Sequence, residues 1–247
     1  MTPIAPHKSL VIVPTYNENE NIASLVQEIW RHEPQVHILV VDDNSRDGTA
    51  QTVQKLQQEH AQQLHLLQRP GKMGLGTAYI TGFRWALERG YDAVLTMDAD
   101  FSHPPHIVPV IIQTLQNYPL VIGSRYIPGG GTENWSLSRR LLSKFGGFYA
   151  RNILGMPTRD LTGGFNGLRR DLLERFNLDA IRCEGYAFQI ELKFRTFQAG
   201  FPIKEIPILF SERRAGQSKM SLAIMLEAMT KVWGLRFNPS DVIRAGK

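Results

Sequence analysis

Short β-rich apolar runs alternate with longer stretches of helical spacing through the first half of this chain. Residues 10–13, 38–41, 64–67, 93–97 and 120–122 read as strands, and each of the first two ends in polar loop residues. Between them, 21–31, 49–59, 77–89 and 106–117 carry helical spacing or helix-favouring composition. Such alternation predicts an α/β fold, a mainly parallel sheet with helices on both faces. Right-handed crossovers then bring the carboxyl ends of the strands to one rim, where open α/β sheets bind ligands.

The pattern changes after Gly123. Pro128-Gly129-Gly130-Gly131 reads as a flexible loop, followed by a helix over 138–154. Residues 161–169, 203–210 and the segment around 188–197 are expected to add strands and a helix that complete the sheet. Near the end, Leu222, Met225, Leu226, Met229, Val232 and Trp233 share one helical face. That face either covers the sheet or lies on a membrane surface, with Lys231 and Arg236 toward anionic headgroups. No repeat and no linker is visible, so 1–237 is expected to form one domain with 238–247 as a tail.

Composition narrows the classes. The 247 residues are 43% hydrophobic and 21% charged, enough for one sizeable core and unlike a disordered chain. The single cysteine, Cys183, excludes an internal disulfide framework and a multi-cysteine zinc site, as in a reducing compartment. A net charge of +5 favours anionic partners. The first nine residues carry no apolar signal core, and no apolar run approaches the roughly 18 residues that span a bilayer. The expectation is a cytoplasmic protein, attached to a membrane by its surface at most. Nucleic acid is not an expected partner, because interleaved aromatics and a recognisable module are both missing.

Four polar loops follow successive strands: Pro14-Thr15-Tyr16-Asn17-Glu18, Asp42-Asp43-Asn44-Ser45, Asp98-Ala99-Asp100 and Gly123-Ser124-Arg125-Tyr126. One alone would be a turn or a helix cap; four at one rim point to a site. Two carboxylates separated by one small residue at a strand end suit a hydrated divalent cation that also grips a diphosphate.

These motifs, in this order and spacing, resemble the inverting GT-A glycosyltransferases of family 2. The stretch Gly123-Ser124-Arg125-Tyr126-Ile127-Pro128-Gly129-Gly130-Gly131-Thr132-Glu133-Asn134-Trp135 is similar to the polyprenol-phosphate (dolichol-phosphate) mannosyltransferase branch. So are Leu161-Thr162-Gly163-Gly164-Phe165 and Arg213-Arg214-Ala215-Gly216-Gln217-Ser218-Lys219, and the likeness runs from about Leu10 to Phe237. It implies a GT-A fold and transfer of mannose from GDP-mannose to a polyprenyl (dolichyl) monophosphate with inversion.

By position, Pro14, Tyr16 and Glu18 would line the nucleotide pocket, with Val41 and Asp43 beside base or ribose. Asp98 and Asp100 would hold Mg²⁺ or Mn²⁺ against the donor diphosphate, which Ala99 meets through its backbone. Many relatives have glutamine where this chain has Ser102, while eukaryotic-like members also have serine. Ser102 would therefore meet the ion directly or through a water. Arg125, Arg139 and Arg213 would contact acceptor or donor phosphates, with Ser143 and Lys219 nearby, and Asp100 and Arg125 would be the catalytic pair. The planar guanidinium fork suits phosphate oxygens. A small membrane-anchoring subunit is an open possibility, since some branches carry transmembrane helices after this domain.

Two other readings stay open. One keeps the acceptor but uses UDP-glucose or another nucleotide sugar; the other is a non-catalytic nucleotide-sugar sensor, against which Asp98, Asp100 and Arg125 together argue. Gly71-Lys72-Met73-Gly74-Leu75-Gly76 reads as a glycine-rich turn into a helix, not a phosphate-loop fingerprint. His103 and His106 are expected to serve helix entry, because Pro104 and Pro105 follow the acidic pair. Glu184 and Glu191 are expected to pair inside the fold.

Overall fold

The structure, a computed structural model, describes residues 8–181, 185–211 and 222–237. Its centre is a seven-stranded sheet built from β1 (Ser9–Thr15), β2 (His37–Asp42), β3 (Leu64–Gln68), β4 (Ala93–Thr96), β5 (Leu120–Ser124), β7 (Asn166–Arg169) and β8 (Ile203–Pro207). The order across the sheet is β3-β2-β1-β4-β7-β5-β8. All neighbours run parallel except β7, which is antiparallel to both β4 and β5. A two-stranded parallel pair, β6 (Gly131–Thr132) with β9 (Leu209–Phe210), lies outside it.

Strand residues alternate between two cores. Leu10, Ile12, Leu39 and Val41 face helix α3 (Leu75–Glu88) with Tyr79 and Phe83, together with Leu172 of the short α6 (Arg170–Leu173) and Phe188 and Leu192 of α7 (Gly185–Gln198). Val11, Val13, Ile38 and Val40 face α1 (Asn19–His32) through Ile22, Leu25 and Ile29. Helices α2 (Thr49–His60) and α4 (Val108–Thr114) add Val53, Val108 and Ile111 to that second side. Burial on both faces explains why these strands read as continuous apolar runs. Each such side chain is worth about 1.5–3 kcal/mol in burial. A third cluster joins α5 (Leu137–Leu154) and α7 to α8 (Leu222–Phe237) through Leu154, Phe194, Val232 and Leu235.

The strands and helices expected in the first half are found, with bounds that shift by a few residues. The helix expected over 106–117 begins instead with a 3-10 turn, Pro105–Ile107, since consecutive prolines supply no N–H for an α-turn. Helix α5 starts where Ser136 accepts the Arg139 N–H and stops at Gly155, whose φ of 66° is the left-handed C-cap geometry.

Three expectations change. The strand expected over 161–169 forms a strand only at β7, because Gly163 and Gly164 in the segment before it are held by the side chains of Asp160 and Thr96. The strand expected over 203–210 divides into β8 and β9, which pair with different sheets. The glycine loop from Pro128 carries β6, and a Cβ on Gly130 would stand 2.5 Å from the Ser124 carbonyl oxygen, so that turn has room only for glycine. On α8, Val232 is buried while Trp233 is about half exposed; the side chains of Leu222, Met225, Leu226 and Met229 lie outside the described residues.

Candidate active site

Parallel pairing of β1 with β2 and β4 puts the first three loops on one rim, and β5, two strands beyond β4, points the same way. The first two loops are knitted by a fully buried carboxylate. Asp42 Oδ1 accepts from Thr15 Oγ1 at 2.8 Å and Ser45 Oγ at 2.6 Å, and Oδ2 accepts the Ser45 N–H at 3.0 Å. Asn17, at φ 59°, accepts the Arg46 N–H through Oδ1 and donates its own N–H to Ser45 Oγ. Asp42 therefore shapes the rim from below and does not face it.

Asp43 is also enclosed. The Arg69 guanidinium donates to its Oδ1 at 2.5 Å and the Met73 N–H to its Oδ2 at 3.2 Å. Arg69 continues to Thr77 Oγ1 and the Gly74 carbonyl. This ties the glycine turn to the rim and makes Gly74, at φ 95°, the entry to α3, as the sequence implied. Tyr16 is exposed, with Lys72 Nζ 4.6 Å above its ring, while Glu18 accepts from Asn21 Nδ2 at 3.0 Å. Pro14 is half-buried at the end of β1. Val41, expected beside base or ribose, has its side chain fully buried in the sheet core, so only its backbone can approach the rim.

At the end of β4, Asp98 is partly exposed and Asp100 is buried. Tyr79 donates its phenol to Asp98 Oδ1 at 3.2 Å. The Tyr79 hydroxyl is held well above its ordinary pKa, first by burial and then by the Asp98 charge, so it stays a donor. His103 is not a helix-entry residue. It is buried, its Nδ1 accepts the Asp98 N–H at 3.0 Å, and its ring stacks on Phe165 at 5.0 Å. Burial depresses its pKa against the pull of Asp98 and Asp100, which fits a neutral ring whose Nδ1 is an acceptor. Phe101 makes the turn at φ 62°, a strained conformation for a bulky residue that marks a constrained site. Through it the Ser102 N–H reaches Asp100 Oδ1 at 3.0 Å. The Ser102 hydroxyl oxygen is buried and has no hydrogen-bond partner among the described residues.

The fourth loop holds a buried ion pair. Arg125 donates through Nε and Nη2 to Asp160 at 2.8 and 2.7 Å, and through Nη2 to Thr162 Oγ1 at 2.9 Å. Burial works to raise the Asp160 pKa, but the Arg125 charge and hydrogen bonds outweigh it and bring it to about 2. Lys193, buried below, donates to the carbonyls of Leu161 and Gly163; burial lowers its pKa to about 7. The pair and the acidic motif share a floor, since the Arg125 guanidinium lies 5.3 Å over Phe210 and His103 lies 5.5 Å from the same ring. A Cβ on Gly164 would stand 3.9 Å from Asp98 Oδ1, so the 160–165 loop runs directly against the acidic pair.

The residues expected to meet the phosphates divide. Ser143 accepts from the Tyr126 hydroxyl at 2.6 Å, and the Arg139 guanidinium lies 4.0 Å over the Trp135 ring, with both serine and arginine on α5. Arg213 and Lys219 lie outside the described residues, as do Cys183 and Glu184. Glu191 faces Arg195 at 3.8 Å within α7, the structural pairing expected of it. Sequence reasoning missed Asp160, Arg69 and Tyr79: each acts across a long separation, and none stands in a motif of its own.

Residues 10–176 match the model of glycosyl transferase family 2. Over 232 residues the chain is 45% identical to polyprenol monophosphomannose synthase of Mycolicibacterium smegmatis, covering 93% of this chain and 88% of that protein. It is 45% identical to undecaprenyl-phosphate mannosyltransferase of Micrococcus luteus, covering 92% and 93%. Among solved structures, glucosyl-3-phosphoglycerate synthase of Mycobacterium tuberculosis with phosphoglyceric acid superposes at a TM-score of 0.64 and 19% identity, covering 92% of this chain and 77% of that one. The same protein with Mn²⁺, uridine diphosphate and glucosyl-3-phosphoglycerate gives 0.61 at 20% identity, covering 92% and 77%, a likeness of fold. With the matched family model spanning all four rim loops, the chain belongs to glycosyl transferase family 2 and is a glycosyltransferase of GT-A fold.

Proposed function

We propose that this enzyme transfers mannose from GDP-mannose to a polyprenyl monophosphate and inverts the anomeric centre. The observation that carries the reading is identity of 45% across nearly the whole chain with two proteins named for mannose and a polyprenyl acceptor. The reading treats residues 1–237 as a single catalytic domain, since every loop of the site hangs from one sheet.

Asp98, Asp100 and Ser102 are hard oxygen donors of the kind Mg²⁺ and Mn²⁺ prefer. The buried Ser102 hydroxyl without a partner is what a site completed by an ion or its water shell leaves behind. When bound there, the cation supplies neutralisation of the donor diphosphate. Tyr79 and His103 hold the Asp98 carboxylate and backbone in place, so little reorganisation accompanies binding.

Tyr16 and Glu18 stand at the open edge of the nucleotide side. Asp43, expected beside base or ribose, also fixes the glycine turn by accepting from Arg69 and the Met73 N–H. On the acceptor side, Asp160 fixes the fork of Arg125, which lines a basic cavity together with Lys144, Arg151 and Arg159. Ser143 of α5 reaches its wall through the Tyr126 hydroxyl. A phosphate monoester is already anionic near neutral pH, its second pKa being about 6. It needs orientation and charge balance rather than a proton acceptor, which these residues supply.

The test incubates pure protein and Mg²⁺ with labelled GDP-mannose, GDP-glucose, UDP-glucose and a short polyprenyl phosphate. Mannose entering the organic phase from GDP-mannose is the expected result. Transfer only from a UDP-sugar would overturn the donor, and nucleotide binding without transfer would overturn the reaction.

A further inference from the structure

Helix α7 turns two polar side chains toward the span that leads into β7. Gln189 and Lys193 stand one helical turn apart, and both are buried, Lys193 completely. Gln189 Oε1 accepts from Asn166 Nδ2 at 2.9 Å. Lys193 Nζ donates to the Gly163 carbonyl at 2.6 Å and to the Leu161 carbonyl at 3.2 Å. Those carbonyls bracket Thr162 and follow Asp160, the two residues that hold the Arg125 guanidinium. Asp160 Oδ1 also accepts the Gly163 N–H, so lysine and aspartate grip the same residue, one at its C=O and one at its N–H.

A lysine is almost never buried this completely without a charged neighbour, and two backbone carbonyls can be satisfied by a neutral donor at lower cost. The neighbouring ion pair gives the charge a use. Within Arg125–Asp160 the two formal charges cancel, so the fork offers an anion its hydrogen bonds but little net charge. Lys193 adds a positive charge beneath the pair, away from solvent, where screening is weakest. The charged groups that act on it are Asp160 on the loop, Arg125 after β5 and Glu205 on β8. Glu191 and Arg195 of its own helix face each other. Among the described residues α5 and α8 meet α7 in an apolar cluster, Ala150 and Leu154 with Val232 and Leu235, and α3 meets it through the neutral Tyr79 on Phe188.

We propose that Lys193 is a positioning residue of the transfer: its ammonium fixes the span 160–163 and charges the floor under Arg125, so that Arg125 holds the acceptor phosphate most tightly while Lys193 keeps its proton. The proposal rests on the reaction proposed above, in which Arg125 meets that phosphate, and adds to it a residue and a pH dependence. Burial lowers the Lys193 pKa to about 7. Rising pH therefore removes the charge, and affinity for the phosphate weakens above pH 7. The second ionisation of the phosphate itself, near pH 6, acts in the opposite direction.

The test titrates the protein with farnesyl phosphate, a short polyprenyl phosphate, by calorimetry from pH 6.5 to 8.5, with Mg²⁺ and GDP present so that nothing turns over. Wild-type Kd should rise about tenfold across this range, the order that one charge roughly 10 Å away produces at an effective dielectric constant near 20. Lys193→Gln keeps a donor and removes the charge. It should bind about tenfold more weakly than wild type at pH 6.5 and show no weakening with pH. A lysine that served the fold alone would lower the melting temperature on replacement and leave the pH dependence in place. Carbon-13 NMR of Cε-labelled lysine reads the same proton directly; if near-UV circular dichroism shows the variant unfolded, the wild-type inflections in Kd and in the buried lysine signal must still coincide. A wild-type Kd that stays flat or falls, or a glutamine variant that weakens with pH as wild type does, overturns the role of Lys193. Binding that follows the lysine proton in a protein that transfers no mannose would sink the proposed reaction and leave Lys193 standing. Mannose transfer with an affinity indifferent to that proton would do the reverse, and farnesyl phosphate that does not bind at all would overturn both.

Discussion

Arg125 and Asp160 meet as a two-pronged pair in which both side chains are buried and Asp160 also accepts the Arg125 backbone N–H at 2.9 Å. Removing one partner of such a pair leaves the other charge stranded. Asp160→Asn should cost about 3–5 kcal/mol in urea unfolding. Arg125→Met/Asp160→Asn together should cost less than the sum of the two single changes, which a double-mutant cycle reads directly.

Asp100→Asn keeps the shape of the turn and removes its charge. Turnover should fall by at least about 10²-fold, the order seen when one preorganised electrostatic contact is lost. The melting temperature should stay within a few degrees. An enzyme that keeps full turnover at saturating Mg²⁺ would contradict the role proposed for this carboxylate.

Tyr79→Phe removes the phenol that donates to Asp98 Oδ1 and little else, because the ring stays stacked near Phe188 at 6.0 Å. The concentration of Mg²⁺ or Mn²⁺ needed for half-maximal activity should rise about tenfold, as for other partners that orient a metal ligand. Activity at saturating metal should recover most of its wild-type value. Loss of activity that metal cannot restore would place Tyr79 elsewhere in the mechanism.

At the opposite end of the sheet, the Tyr91 hydroxyl sits between His37 Nδ1 at 2.8 Å and His65 Nε2 at 3.3 Å. Burial, then the His37 charge, lowers the His65 pKa to about 4. Below its unfolded value of about 6.5 the unfolded chain takes up a proton that the native one refuses. Stability contributed by neutral His65 is therefore full above pH 6.5 and declines as pH falls toward 4. With allowance for its half-exposed position, the change should be about 1–2 kcal/mol. Urea titrations at pH 7 and pH 4.5 should show a smaller difference for His65→Gln than for wild type.

Gly167 is where α4 rests on β7: a Cβ there would stand 2.3 Å from Ile111 Cγ2 and 3.0 Å from Leu115 Cδ1. Gly167→Ala should destabilise by about 1–3 kcal/mol through overpacking. Ile111→Val in the same chain should restore part of the loss, measured by thermal unfolding.

The rim was legible because its signals are local. A buried strand shows as an apolar run, and the polar residues after Val13, Val41, Met97 and Ile122 mark where each run reaches solvent. What escaped depends on separation. Asp160 meets Arg125 across 35 residues and Tyr79 meets Asp98 across 19, distances at which neither periodicity nor spacing carries information. Position in a motif also carries no information on burial: the Val41 side chain lies in the core, and Asp43 accepts from Arg69 and the Met73 N–H. The 160–165 segment reads as a strand because Leu161 and Phe165 are apolar, yet its backbone is claimed by Asp160, Thr96 and Lys193. His103 looked like a prelude to the prolines and is instead a buttress under the acidic pair.

The reversed strand has one more implication. Because β7 runs against its neighbours, the loop that precedes it arrives where the other strands' following loops emerge. Gly164 then lies beside Asp98, where an added Cβ would stand 3.9 Å from its Oδ1, while Asp160 and Thr162, a few residues earlier, grip Arg125. One short span of backbone thus adjoins both the acidic motif and the buried guanidinium. If the proposed reaction holds, a change of leaving nucleotide or of lipid would be felt at both ends of that span.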